Sequence, residues 1–72
     1  MPLALVKVGE RVRVVNVAGL ETVRKHLGAM GLIPGEIVTV VQVAEGNMII
    51  GVHDSRLAIG QDVASRVMCQ PI

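Results

Sequence analysis

The stretch GAMGLIPGEIVTVV, residues 28 to 41, determines how the chain is organised. A phosphate-binding loop has a strand before its glycines and a helix after them, because its N–H groups belong to a helix start. Here an amphipathic pattern precedes the glycines and a valine-rich run follows, and the Lys-Ser/Thr pair of a nucleotide loop is absent. The stretch therefore predicts a helix that ends at Gly31 in left-handed backbone, a turn at Pro34 and Gly35, and then a strand.

The residues before this stretch have the spacing of one amphipathic helix. Leu20, Val23, Leu27 and Met30 follow one another at intervals of three, four and three, with charged residues between them. This periodicity predicts a helix of about three turns with a single apolar stripe.

Short runs of β-branched residues predict the strands. Residues 10–17 alternate valine with arginine, which indicates a first strand with one buried face. Residues 36–44 are apolar on both faces, so we expect this strand to be central. The other elements are a hairpin at 45–47, strands in MIIGVH, RLAI and VMCQ, a turn at Asp54 and Ser55, and at most one helical turn in QDVASRV.

These elements favour a mainly β fold. Four to five short strands, with one helix after the first, and turn signals every eight to twelve residues are typical of a small barrel. A parallel α/β sheet would need more crossover helices. The 72 residues form a single domain, residues 1–72.

Composition excludes several classes of function. Phe, Tyr and Trp are absent, so the chain lacks the stacking platforms of single-stranded nucleic-acid binders. The net charge is +1 and the longest basic run is Arg24–Lys25, which argues against nucleic acid as a partner. Charges interrupt every apolar window short of the ~18 residues that span a bilayer, and no cleavable signal pattern opens the chain. We therefore expect a cytoplasmic protein without direct membrane insertion.

His53, Asp54 and Glu36 are the candidate metal ligands, because imidazole and carboxylate groups both bind transition metals. Neighbouring residues on a strand point to opposite faces, so His53 and Asp54 would not form a natural chelate there. Cys69 lacks a second cysteine, and no CxxC, HExxH or HxxxH spacing occurs. Ordinary surface or core placement of these residues is the alternative. Without a GxSxG serine or an evident carboxylate pair, the sequence predicts no enzyme.

Two apolar residues of the predicted turn, Leu32 and Ile33, have two interpretations. They either fold back to close the core of the domain or remain exposed as a contact for another protein. The sequence leaves both interpretations open.

The whole chain resembles the FeoA family, small cytosolic proteins of bacterial and archaeal ferrous iron uptake. The resemblance lies in the order and spacing of LVKVGERVRVVNVAG, VRKHLGAMGLIPGEIVTVV and RLAIGQDVASRVMC. It implies an SH3-like β-barrel of about five strands with one helix inserted after the first. It also implies an accessory role to FeoB, a membrane transporter with a cytosolic GTP-binding domain, whose binding would recruit the protein to the inner face of the membrane.

The resemblance assigns no catalytic residue. It suggests a contact surface in the segment between helix and strand, here named the helix–strand loop, which consists of Met30, Gly31, Leu32, Ile33, Pro34 and Gly35. The alternative function is a metal-responsive protein that binds Fe²⁺ or Zn²⁺ directly through His53, Asp54 or Glu36; no other cofactor is expected. A symmetric homodimer is a further expectation, since it is the commonest form of self-association.

Overall fold

The chain forms one five-stranded antiparallel sheet, with short helical segments at its ends. A computed structural model describes residues 1–72. The elements in chain order are an N-terminal 3-10 turn (Leu3–Leu5), β1 (Arg11–Val17), α1 (Glu21–Ala29), β2 (Ile37–Ala44), β3 (Asn47–Val52), β4 (Ser55–Gly60), α2 (Gln61–Ala64) and β5 (Val67–Pro71). The strands lie in the order β4-β3-β2-β1-β5, so β2 is central as predicted.

The mainly β architecture and the helix after the first strand confirm the predictions from sequence. The closed barrel is not shown, because β4 and β5 are the two ends of the sheet and do not pair with each other. α2 contacts β4 and the N-terminal 3-10 turn, which in turn contacts β5. In a closed barrel β4 and β5 would pair with each other. Here α2 and the 3-10 turn lie between these two edge strands instead.

One face of the sheet forms the core, and every buried residue is apolar. In β1 the alternation works as predicted: Val12, Val14 and Val17 are buried, whereas Arg11 and Arg13 are exposed on the other face. Because the core contains no polar or charged residue, burial of apolar surface is the main stabilising term.

The first residues of the chain complete the core, which the sequence did not predict. Leu3, the first residue of the 3-10 turn, and Val6, the residue just after it, are both buried. Met1 exchanges two backbone hydrogen bonds with Cys69, at 2.6 and 2.7 Å, and Pro2 pairs with Met68. These bonds cover part of the outer edge of β5, and β4 is left as the open edge.

α1 buries less of its apolar stripe than expected. Leu27 is buried and Val23 is half-buried, but Leu20 is 72% exposed. Leu20 is the residue before the first helical turn and has extended backbone, so its side chain points away from the core. None of the helices is long and apolar enough to cross a membrane.

Candidate functional site

Hydrogen bonds of the Schellman type hold the start of the helix–strand loop. The N–H of Leu32 donates to the carbonyl of Leu27, and the N–H of Gly31 donates to the carbonyl of Gly28, both at 3.0 Å. Gly31 has φ +98°, as predicted, and a Cβ at this position would lie 2.9 Å from Cγ1 of Val52. Both the backbone conformation and the space available therefore require glycine.

The second half of the helix–strand loop is a type II turn. The N–H of Glu36 donates to the carbonyl of Ile33 at 3.1 Å, with Pro34 second and Gly35 third at φ +96°. Two further bonds join the turn to β1: Gly35 N–H to the carbonyl of Val14 at 2.7 Å, and Val14 N–H to the carbonyl of Glu36 at 2.8 Å. The loop is therefore held in place at both ends.

The helix–strand loop divides between core and surface. Leu32 is 1% exposed and lies in the core, whereas Ile33 is 44% exposed. Leu32 therefore closes the core, whereas Ile33 is exposed, and a contact of Ile33 with another protein stays a prediction. The rest of the loop consists of the exposed Pro34 and Gly35 and the half-buried Met30 and Gly31. The side chain of Leu32 is not accessible to a partner, but those of Ile33 and Pro34 are.

A hollow of about 190 Å³ lies beside the exposed part of the loop. Its lining combines the apolar Val17, Leu32, Ile33 and Pro34 with the polar Asn16 and Arg24. Neither of the two ion pairs in the chain involves Arg24. The hollow has the composition to accept one apolar side chain with a carboxylate within reach of the guanidinium group.

The structure brings two of the three candidate metal ligands together. Nε2 of His53 lies 3.0 Å from Oε2 of Glu36, and the Glu36 side chain is only 28% exposed. Asp54 does not complete a set, since no group of three or more His, Cys, Asp or Glu residues is arranged to hold a metal ion. The chain itself therefore offers one imidazole nitrogen and one carboxylate at this place.

The turn between β3 and β4 explains why His53 meets Glu36. His53 and Asp54 are the two turn residues, so the predicted turn at Asp54 and Ser55 is displaced by one residue. His53 has φ +55°, a left-handed conformation that is uncommon for a residue other than glycine. The expectation that His53 and Asp54 point to opposite faces of a strand therefore does not apply, because His53 lies in a turn.

Cys69 lies in the core, as one alternative from the sequence proposed. It is 2% exposed, and burial raises the pKa of its thiol, while the positive amino group of Met1 acts in the opposite direction. A buried thiol that stays protonated is a poor nucleophile and a poor metal ligand.

The sequence did not indicate two wider hollows on the exposed face of the sheet. Each has a volume of about 420 Å³, and the two share Thr39, Gly51 and His53. Together they form the outer trough, which runs from Arg11 on β1 to Arg56 on β4. The trough depends on the register of four strands, and a single sequence does not carry that information.

Comparison with known proteins gives the family. The model of the FeoA domain matches residues 1–71, almost the whole chain. The chain belongs to the FeoA family. Membership of the FeoA family implies involvement in ferrous iron transport.

Solved structures show the same fold. The crystal structure of an iron uptake regulatory protein (FeoA) is 38% identical with a TM-score of 0.90, covering 99% of this chain and 95% of that one. FeoA from Chlorobium tepidum is 24% identical with a TM-score of 0.93, covering 100% and 70%. A manganese-dependent transcriptional repressor shares the fold at 11% identity and a TM-score of 0.91, and this chain covers 41% of it. No curated protein matches the sequence.

Proposed function

We propose that this FeoA-family protein is a non-enzymatic accessory of ferrous iron uptake that binds the cytosolic GTP-binding domain of a FeoB-type transporter. In this role it acts in the cytoplasm and is recruited to the inner face of the membrane by its partner. Family membership supports the setting in iron transport. The observation that supports the contact is the exposed Ile33 and Pro34 on a fixed loop.

A fixed apolar loop is well suited to binding another protein. Ordering a flexible loop at an interface costs conformational entropy, which reduces affinity. The Schellman motif and the type II turn already order the helix–strand loop, so its exposed residues enter an interface at little further cost. Ile33 offers a large aliphatic surface, and central apolar contacts of this kind carry much of the binding energy in protein interfaces.

The hollow beside Ile33 indicates what the partner presents. An apolar side chain of the partner packs against the exposed Ile33 and Pro34 at the hollow, and an acidic neighbour of that side chain meets the unpaired Arg24. Charge at the rim chiefly affects the association rate, whereas the apolar contact affects the dissociation rate. We therefore expect raised salt to slow association more than it speeds dissociation.

Chemical-shift mapping tests this contact. The ¹⁵N-labelled protein is titrated with the unlabelled cytosolic domain of the transporter. We expect saturable shifts at the amides of Ile33, Gly35 and Arg24, with the amide of Val43 unchanged. Val43 is a suitable internal control because it is exposed to the same extent as Ile33, 44%, but lies near the far end of β2. An absence of shifts at concentrations well above micromolar would contradict the proposal.

Self-association is measured on the same samples. A symmetric homodimer formed through the exposed loop would hide Ile33 and compete with the transporter domain. Sedimentation velocity of the wild-type protein and of the Ile33→Ser variant distinguishes the two cases. A dimer that persists in the variant uses a different surface.

Direct binding of Fe²⁺ or Zn²⁺ by His53 and Glu36 is a second candidate function. It is favoured by the 3.0 Å approach of their ligand atoms, a nitrogen and an oxygen donor of the kinds that both metals accept. Asp54, water or a partner would have to supply the remaining ligands, since the chain holds no group of three.

Calorimetry with Zn²⁺ tests this second candidate. A functional site binds one ion with a Kd below about 10 μM, roughly −7 kcal/mol. We expect His53→Ala to abolish this binding and His26→Ala to leave it unchanged, because His26 is exposed on α1 and takes part in neither ion pair. Millimolar or absent binding by the wild-type protein would exclude the site.

A further inference from the structure

One row of residues crosses the exposed face of the sheet and forms the floor of the outer trough. Arg11 on β1 pairs with Thr39 on β2, Thr39 pairs with Gly51 on β3, and Gly51 pairs with Arg56 on β4. The row therefore has an arginine at each end and a residue without a side chain near its centre. Four strands spaced by about 4.8 Å place the two arginine Cα atoms about 14 Å apart.

The fold itself does not require a glycine at position 51. Glycine in the interior of a strand weakens it. Gly51 has no positive φ, and a Cβ there would meet its nearest atoms, Cγ2 of Val41 and the carbonyl of Thr39, at ordinary contact distances of 3.7 and 3.9 Å. A strand glycine of this kind often marks a place where a ligand or another backbone approaches closely.

The two arginines of the row have no carboxylate partner in the chain. Its only ion pairs join Lys25 to Glu21 and His53 to Glu36. Guanidinium groups make strong bidentate hydrogen bonds to carboxylates. Two acidic residues also line the trough, Glu36 in the hollow that contains Arg11 and Asp54 in the hollow that contains Arg56. Glu36 is paired with His53, and neither acid forms an ion pair with an arginine.

We propose that the outer trough binds an extended acidic segment of a partner protein. Two carboxylates of this segment pair with Arg11 and Arg56, and its backbone passes over Gly51. An extended chain advances about 3.3 Å per residue, so carboxylates four residues apart span the row and lie on the same side of the segment. A free phosphate ion is too small to reach both arginines at once.

This surface is additional to the exposed residues of the helix–strand loop, although Gly35 lies at its near end. A partner of sufficient size can occupy both surfaces. The proposal depends only on residues of the trough, so it can hold even if the transporter domain does not bind.

An acidic peptide provides the test. The ¹⁵N-labelled protein is titrated with acetylated hexaglutamate, with hexaglutamine as the uncharged control and with inorganic phosphate. We expect hexaglutamate to give saturable shifts at Thr39, Gly51 and His53 that weaken with added salt. Hexaglutamine should give none, and phosphate should not saturate the same residues at comparable concentration.

Variants assign the binding to the row. We expect Arg11→Ser and Arg56→Ser each to weaken hexaglutamate binding by about three- to fivefold. Arg66 is exposed, lines neither hollow of the trough and takes part in neither ion pair, so Arg66→Ser should leave binding unchanged. Gly51→Ala should weaken it at least about threefold without lowering the urea midpoint of unfolding.

The proposal is wrong if the two arginine variants bind as tightly as the wild-type protein. It is also wrong if hexaglutamine or phosphate reproduces the shifts, or if Gly51→Ala leaves binding unchanged. Titration with the transporter domain is a separate measurement, so failure of the trough and failure of the proposed function are distinguishable.

Discussion

Replacement of Leu32 by alanine tests whether the helix–strand loop is anchored in the core. Leu32 is 1% exposed, and its N–H closes the Schellman motif at the end of α1. The substitution removes buried methyl groups and leaves a cavity, and such changes cost about 2–5 kcal/mol. A domain of 72 residues has a total stability of about 4–11 kcal/mol. A loss of about 3 kcal/mol would therefore remove a large part of the stability.

The neighbouring residue is the matched control. Ile33 is 44% exposed, so Ile33→Ala removes less buried surface and should cost below about 1 kcal/mol. The two variants differ by one position in the chain, but the structure places their side chains in different environments. The comparison therefore separates the part of the loop that stabilises the fold from the part available to a partner.

Far-UV circular dichroism during urea titration is the suitable assay, because the chain has no aromatic residue to report by fluorescence. With a denaturant slope of about 1 kcal/mol/M, the loss in Leu32→Ala shifts the midpoint by about 3 M. The corresponding fall in Tm is about 12–24 °C. The assignment would be refuted if Leu32→Ala lowered the free energy of unfolding by less than about 1 kcal/mol, or if Ile33→Ala lowered it more than Leu32→Ala does.

Three further substitutions probe the backbone and the buried thiol. Gly31→Ala should cost about 2–4 kcal/mol in urea unfolding, since alanine would need left-handed backbone and would crowd Val52; a neutral result would contradict this geometry. Glu45 has φ +51° before Gly46, so Glu45→Asn creates the pair favoured in type I′ turns and should add about 0.5–1 kcal/mol; a loss would speak against this turn. Burial raises the pKa of Cys69 above the ordinary 9.0, so its contribution to stability is complete below that pH and is lost as pH rises through the folded value. Unfolding measured against pH should show this alkaline decline in the wild-type protein, and an equal decline in Cys69→Ala would exclude the thiol as its cause.

Local signals were sufficient to predict most of the fold. Short patterns within a few residues of one another predict the left-handed Gly31 just after α1, the hairpin turn at Glu45 and Gly46 and the central position of β2. The burial of Leu3 was not predictable in this way, because the N-terminal segment packs against β5, at the other end of the chain. Leu20 has the right spacing for the helical stripe, but spacing alone does not say where the first turn begins.

The candidate site was less predictable than the fold. Their residue types made His53 and Glu36 candidate ligands. The two side chains meet only because His53 has left-handed backbone in the turn between β3 and β4, whereas the sequence pattern predicted a strand at His53. The outer trough was missed because Arg11 and Arg56 share a row only through the register of four strands. The division between Leu32 and Ile33 likewise depends on how the loop turns after Gly31.

The affinity of the transporter's cytosolic GTP-binding domain for three forms of the protein tests the proposed function most directly. These forms are the wild type, Ile33→Ser and Val43→Ser, and both replaced residues are 44% exposed. We predict that Ile33→Ser weakens binding at least about tenfold, equivalent to about 1.4 kcal/mol, whereas Val43→Ser stays within about twofold of the wild type. Equal affinities for the three forms, or no binding by the wild type, would contradict the account.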